Sequence, residues 1–367
     1  MIKFPRLKTF LSIFPISATT WGLRGGADEL WRMKLTGERA VQAFGALLPY
    51  LNGQTATEDI LAALESAGIH RGAAEAVLRQ LEASSLLEEA DANGLSADEL
   101  NQFEDQIRFF SRFTQQGGAK FQAALRGSRV ALLADGALGE SVYRRLAEAG
   151  FGEVVILSRR PARAHAWAES AAGVRPRTTV LALDSGEIWP LDAPDLPRVL
   201  VVCQEAHDPL LLEAVDALSK RRLLPWLLVR NLDLQEGWVG PLFVPGETAS
   251  YLSLEARLRG NLPRFPEYLA FDAHVRATEP PAALGGLHAA FDLLASIAVI
   301  ELVKLTTEIK VPHLLGKFLT VNFWTWEMEL HEVLRLPALD REPAPRPAVF
   351  PWKIVGHEDG ATTPRRA

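Results

Sequence analysis

The residues with chemical potential are few and lie at the ends of apolar runs. Gly136 and Gly139 stand in Ala131–Ser141, ALLADGALGES, between an apolar run and a helix-like stretch. A full G-x-G-x-x-G phosphate turn would also need glycine at Ala134. The acidic residue that holds a ribose would fall near Ser158, where the text reads VVILSRRPAR. Gly136 still permits a tight turn and Gly139 a close helix, so the pattern predicts a structural remnant in preference to a working ATP or NAD site. Arg159, Arg160 and Arg163 can attract an anion, or can simply form a solvated loop at the end of a sheet. Cys203 ends the run RVLVVC, which predicts a buried thiol in preference to a nucleophile. His207-Asp208 follows where open α/β sheets bind ligands, yet His-Asp before a helix is also ordinary capping. His331-Glu332 is a lone pair, too few ligands for a metal site. No metalloprotease, nucleophile-elbow, P-loop or kinase pattern is present.

Composition narrows the class. A chain of 367 residues, 48% hydrophobic, has room for two domains and a sizeable core. A net charge of −6 argues against a general nucleic-acid binder. One cysteine excludes an internal disulfide and a cysteine-rich zinc site, and fits a reducing cytoplasm, the expected location. The N-terminus, MIKFPRLKTFLSIFPISA, sets basic residues before a short apolar run as a signal peptide does. Pro15 interrupts that run, and the alternation continues into Thr20–Arg24, which predicts a first strand. Leu284–Leu305 is the most apolar stretch, but His288, Asp292, Glu301 and Lys304 within it predict a buried core helix and no membrane span.

Two rhythms divide the chain. In residues 1–90, Thr20–Arg24 and Glu29–Leu35 are expected to be strands joined at Gly25-Gly26. Helices follow over Glu38–Leu51 (Val41, Phe44, Leu47, Leu48, Leu51 on one stripe), over Glu58–Ala67 with Thr57 as N-cap, and over Arg71–Ser84, where Ala74, Val77, Leu78 and Leu81 align. This is a winged-helix-like arrangement. Residues 91–118 are expected to be a linker and the opening helix of a second domain, with Ala97–Phe113 helical. Across 119–340 short apolar strands (Val130–Leu133, Val154–Leu157, Val199–Cys203, Trp226–Val229) alternate with helices (Glu140–Ala149, Pro209–Lys220), the mark of a doubly wound, mainly parallel sheet. Phe318–Leu334 closes it, with Trp324 and Trp326 expected on a strand. Residues 341–367, with Pro343, Pro345 and Pro347, are expected to be extended or disordered.

Val239–Arg257, VGPLFVPGETASYLSLEAR, resembles the segment shared by leader-peptide-binding cyclodehydratase partner proteins of the ThiF-like branch of the ubiquitin-activating superfamily. Pro225–Phe243, Leu287–Glu308 with its Glu-x-x-Lys-Leu-Thr ending, and Lys317–Pro337 resemble the same family in order. In that family the signature carries two cysteines of a structural zinc, with a second pair after a Leu-Pro. Here Ser250 and Ser253 occupy the first pair's positions, and Leu336-Pro337 is kept with no cysteine behind it. The resemblance thus implies no metal, no cofactor and no catalytic residue. Trp31–Leu64 is similar to the PqqD-like element that captures leader peptides of ribosomally made natural products. It implies an N-terminal PqqD-like module followed by a ThiF-like Rossmann-type domain. Glu29, Leu30, Trp31, Arg32, Met33, Lys34 and Leu35 would form the peptide-binding edge, with Leu78, Arg79 and Leu81 on the third helix; Leu78 and Leu81 can equally be plain core. The implied partners are a precursor leader peptide and a separate YcaO-type cyclodehydratase, which would use ATP to make azolines. A homodimer is left open. The rival readings are an adenylating ThiF-like enzyme and a winged-helix DNA-binding regulator, the latter disfavoured by the mixed charge of Arg71–Ser84.

Overall fold

The computed structural model describes residues 2–26, 32–170, 173, 175–183, 197–278 and 281–340. The chain divides into two compact units, Met1–Gly127 and Ser128–Ala367. The expected tail over 341–367, and Glu29, Leu30 and Trp31 of the expected peptide-binding edge, lie outside the described residues.

The N-terminal unit begins with β1 (Pro5–Leu7) and β2 (Leu11–Ser17), so the basic-then-apolar start enters sheets. Then come β3 (Thr20–Gly25), β4 (Arg32–Thr36), α1 (Glu38–Leu47), α2 (Thr57–Ser66), α3 (Arg71–Ala83) and β5 (Leu87–Glu89). β2, β3 and β4 form an antiparallel sheet in that order, and β1 pairs with β5. Helical spacing on α1 and α3 puts Phe44, Leu47, Val77 and Leu81 into one core with Leu23, Leu35 and Ile60. Trp21 meets Phe44 edge to face at 5.8 Å. Thr57 is not the cap expected of it: the N-cap is Ala56, and the Thr57 hydroxyl donates to the Ile2 carbonyl at 2.6 Å, anchoring the N-terminus. The expected helix Ala97–Phe113 is broken at Phe103 into α4 (Ala97–Gln102) and α5 (Glu104–Phe110). With α6 (Ala119–Arg126) these belong to the first unit, not to the opening of the second. Burial of Phe103, Ile107 and Ala119 in a satellite core explains why.

The second unit carries β6 (Arg129–Leu133), α7 (Ala137–Glu148), β7 (Glu153–Ser158), α8 (Pro161–Ser170), β8 (Arg177–Ala182), β9 (Val199–Gln204), α9 (Pro209–Arg222) and β10 (Trp226–Arg230). They are followed by β11 (Glu236–Phe243), α10 (Tyr251–Gly260), α11 (Phe265–Ala277), α12 (His288–Thr307), β12 (Lys317–Asn322) and β13 (Met328–Glu332). The eight-stranded sheet has the order β13-β12-β11-β10-β9-β6-β7-β8. β10, β9, β6, β7 and β8 run parallel; β11 to β13 are antiparallel additions. The strand order reverses between β6 and β9, which makes the carboxyl ends of those strands the switch point.

The landmarks quoted from the sequence have local causes. Gly240 lies at φ +95°, and a Cβ there would sit 2.4 Å from the Lys317 carbonyl, so glycine is what lets β12 approach. Glu301, buried on α12, accepts from the Leu314 N–H at 2.8 Å and from Lys304, fixing the loop that follows the helix. Trp324 and Trp326 are not on a strand with one face inward: they occupy the β12–β13 turn, 63% and 68% exposed. Gly240→Ala should lower the unfolding free energy by roughly 2 kcal/mol through strain and clash. Urea denaturation followed by tryptophan fluorescence measures this; an unchanged midpoint would disprove the account.

Candidate functional site

In the N-terminal unit β2 and β4 are the two terminal strands of the three-stranded sheet, and β4 is the edge on which the expected peptide-binding residues fall. Its alternation sends Met33 and Leu35 into the core and leaves Lys34 exposed. Nothing is described of the Arg32 side chain. On α3, Leu78 and Leu81 are buried in the same core, whereas Arg79 is exposed and lies 3.8 Å from Glu75. Among the described residues the edge therefore offers backbone groups and Lys34, whereas Met33, Leu35, Leu78 and Leu81 serve packing. Phe14 and Ile16, 40% and 49% exposed, stand over Gly22, whose missing Cβ makes room for the Phe14 ring. Sequence reading missed them because an alternating edge strand does not reveal which face is wet.

In the second unit the switch point is densely self-paired. Gly136 ends the β6 loop at the start of α7, as the glycine pattern predicts, and Gly139 lets α7 pack against Ala134, which stands 2.3 Å from where a Cβ would be. The Leu138 N–H donates to Glu205 Oε1 at 3.0 Å. Burial raises the Glu205 pKa; the N–H groups of Leu138, Ala137 and Gly139 and the charge of Arg163 oppose that shift. Asp135 Oδ1 accepts from the Ser158 hydroxyl and from the Arg159 N–H, both at 2.7 Å. The Arg159 guanidinium pairs with Asp208 Oδ2 at 2.8 Å, and Asp208 Oδ1 caps α9 through the Leu211 N–H at 3.0 Å. His207 lies 3.3 Å from Asp272, a carboxylate that also accepts from Arg259 and Arg276. Cys203 is buried, and burial followed by the nearby Glu205 charge pushes its thiol pKa well up, which disfavours a thiolate.

Ser250 and Ser253 take part in a hydrogen-bonded knot. Ser250 caps α10, and its N–H donates to Asp340 Oδ1 at 2.9 Å. The Ser253 hydroxyl donates to Asp340 Oδ2 at 2.6 Å, and the Leu336 N–H reaches the same oxygen at 2.9 Å. The signature helix is thus fastened to the Leu336-Pro337 segment through a carboxylate. Among the described residues no group of three or more His, Cys, Asp and Glu is placed to hold a metal. His331 instead ends a stack of Arg230, Trp238, Phe318 and His331 across β10 to β13, with ring centroids 4.8 Å apart from Trp238 onward. Trp238, Phe318 and His331 of this stack line a groove of about 700 Å³.

Burial works to raise the Asp340 pKa, but hydrogen bonds from Ser250, Ser253 and Leu336 hold it below the ordinary carboxylate value. A depressed carboxylate contributes stability above its unfolded pKa, near 3.9, and loses it as pH falls through the lower folded value. Asp340→Asn should therefore cost about 1 kcal/mol at neutral pH, discounted for partial exposure, with the gap to wild type closing below about pH 4. Urea midpoints from pH 3 to 7 give the comparison; a gap independent of pH would refute it.

No family model and no curated protein matches the sequence. Solved structures do. The heterocyclase TruD superposes with a TM-score of 0.63 at 22% identity, over 92% of this chain and 42% of TruD. A heterocyclase in complex with substrate and cofactor gives 0.61 at 20% identity, over 92% of this chain and 39% of that one. Escherichia coli MccB with MccA gives 0.58 at 16% identity, over 91% of this chain and 98% of MccB. The chain spans less than half the length of the two heterocyclases, and at these identities the likeness establishes the fold. The chain shares its fold with the heterocyclase TruD and with MccB.

Proposed function

We propose that this chain captures the leader of a ribosomal precursor peptide and presents its core to a separate YcaO-type, ATP-dependent cyclodehydratase for azoline formation. The observation that carries the reading is the free edge of β4 in a chain with the fold of a heterocyclase. Capture is by β-augmentation: the PqqD-like N-terminal unit adds the leader as a fourth strand along β4, where Lys34, and Arg79 on α3, favour acidic leader residues. Backbone hydrogen bonds supply affinity and alternate side chains supply register. A tethered leader holds the core near the partner's active site at an effective concentration approaching the millimolar range.

Two further facts support this. Solved relatives in fold hold a substrate, or MccA. The Ser250–Ser253–Asp340 knot keeps the signature helix in place with no need of metal. The adenylating alternative has its own support, since MccB matches over 98% of its length and has been solved with ATP. ATP–pyrophosphate exchange by this chain would favour that alternative.

The test is fluorescence polarisation with the leader of a neighbouring precursor peptide and the full chain. Micromolar or tighter binding is expected. Backbone N-methylation of single leader residues should weaken binding at least about tenfold at every second position and leave the intervening ones within about twofold, because a strand donates to one neighbour with period two. Absence of binding, or losses without that period, would defeat edge capture.

A further inference from the structure

In doubly wound sheets the N-terminus of the helix after the first strand faces the switch point, where N–H groups and the helix dipole favour an anion. Here that position is filled from within. The Glu205 side chain, on the loop after β9, reaches across to α7, with Oε1 on the Leu138 N–H at 3.0 Å. Gly136 permits this approach, since a Cβ there would lie 2.2 Å from the same oxygen. Two further pairings close the surroundings. Asp135 turns to Ser158 and the Arg159 N–H, so the loop that would meet a ribose is satisfied by its own neighbour. The Arg159–Asp208 pair joins the loop after β7 to the start of α9; β6 lies between β7 and β9, so the pair spans the end of the central strand.

We propose that Glu205 is a built-in substitute for a nucleotide phosphate, and that with the Arg159–Asp208 bar it closes the switch point of this unit to nucleotides. A carboxylate matches a phosphate in charge sign and in accepting several N–H groups. Being tethered, it does so at high effective concentration, so a free phosphate must displace it and then meet an excluded charge. The closure lies in the second unit and stands apart from leader capture on the first.

The decisive experiment titrates pyrophosphate and ATP into the full-length wild type, Glu205→Ala and Glu205→Gln, by calorimetry and by thermal melting. Wild type should show no saturable binding up to about 1 mM ligand. Glu205→Ala should melt several degrees lower, because α7 loses its outside cap, and pyrophosphate should restore the loss while leaving the wild-type midpoint unchanged. Its affinity for pyrophosphate should exceed that of wild type by at least about tenfold. Glu205→Gln keeps the shape and removes the charge, so it should gain affinity to a smaller extent, and it serves if the alanine variant does not fold. Submillimolar ATP binding by wild type that Glu205→Ala leaves unchanged or weakens would overturn the proposal. So would a folded variant that gains no binding. Leader affinity measured on the same variants is expected to match wild type, which keeps failure of this proposal separate from failure of leader capture.

Discussion

A parallel sheet must be covered on both faces, and most of the second unit follows from that requirement. β6, β7, β9 and β10 are buried almost throughout, so they read as near-continuous apolar runs rich in Val and Leu. On one face α9 and α10 supply Leu212, Val215, Leu218, Tyr251 and Leu254 to a core centred on Leu200, Val202 and Trp226. On the other, α12 and α7 pack together and against the sheet. Trp226 shows the density reached: it is fully buried and stacks on Phe243 at 4.3 Å. Charged groups at the strand ends find their partners within this covered frame.

Those partners are largely internal. At the switch point Glu205, Asp135 and Asp208 are engaged by α7, by the loop after β7 and by α9. Beyond it, Asp272 draws His207, Arg259 and Arg276 together, and Glu255 accepts from Arg259 and Tyr268. Ser250, Ser253 and Asp340 fasten the signature helix in the same manner. Charged hydrogen bonds of this kind bring geometric definition more than net stability, because desolvation offsets much of their attraction.

The first unit works under a different constraint. A three-stranded sheet backed by helices leaves two edges, and β2 carries Pro15, which cannot donate a ladder hydrogen bond. β4 carries no proline, and its inward Met33 and Leu35 pin its register to the core. A register-fixed edge with no proline in its described strand is suited to receive a strand, which is why capture by pairing is proposed for it.

Periodicity alone revealed the elements: the strands around Val130, Val154, Val199 and Trp226 and the helices around Leu78, Val215 and Leu294 sit where their apolar spacing puts them. It revealed as well that Gly136 and Gly139 form a turn and a close helix contact, and that Cys203 is buried. Spacing reports which residues share a face of one element, and that is a local property. It could not place Trp324 and Trp326, because alternation continues through a turn that Asn322 closes by accepting from the Trp324 and Thr325 N–H groups. Nor could it pair Ser253 with Asp340, Arg159 with Asp208, or Glu205 with Leu138, partners that are 87, 49 and 67 residues apart. Local spacing and side-chain burial determined the elements; only the strand order, which brings distant loops to one end of the sheet, decided which charges meet there.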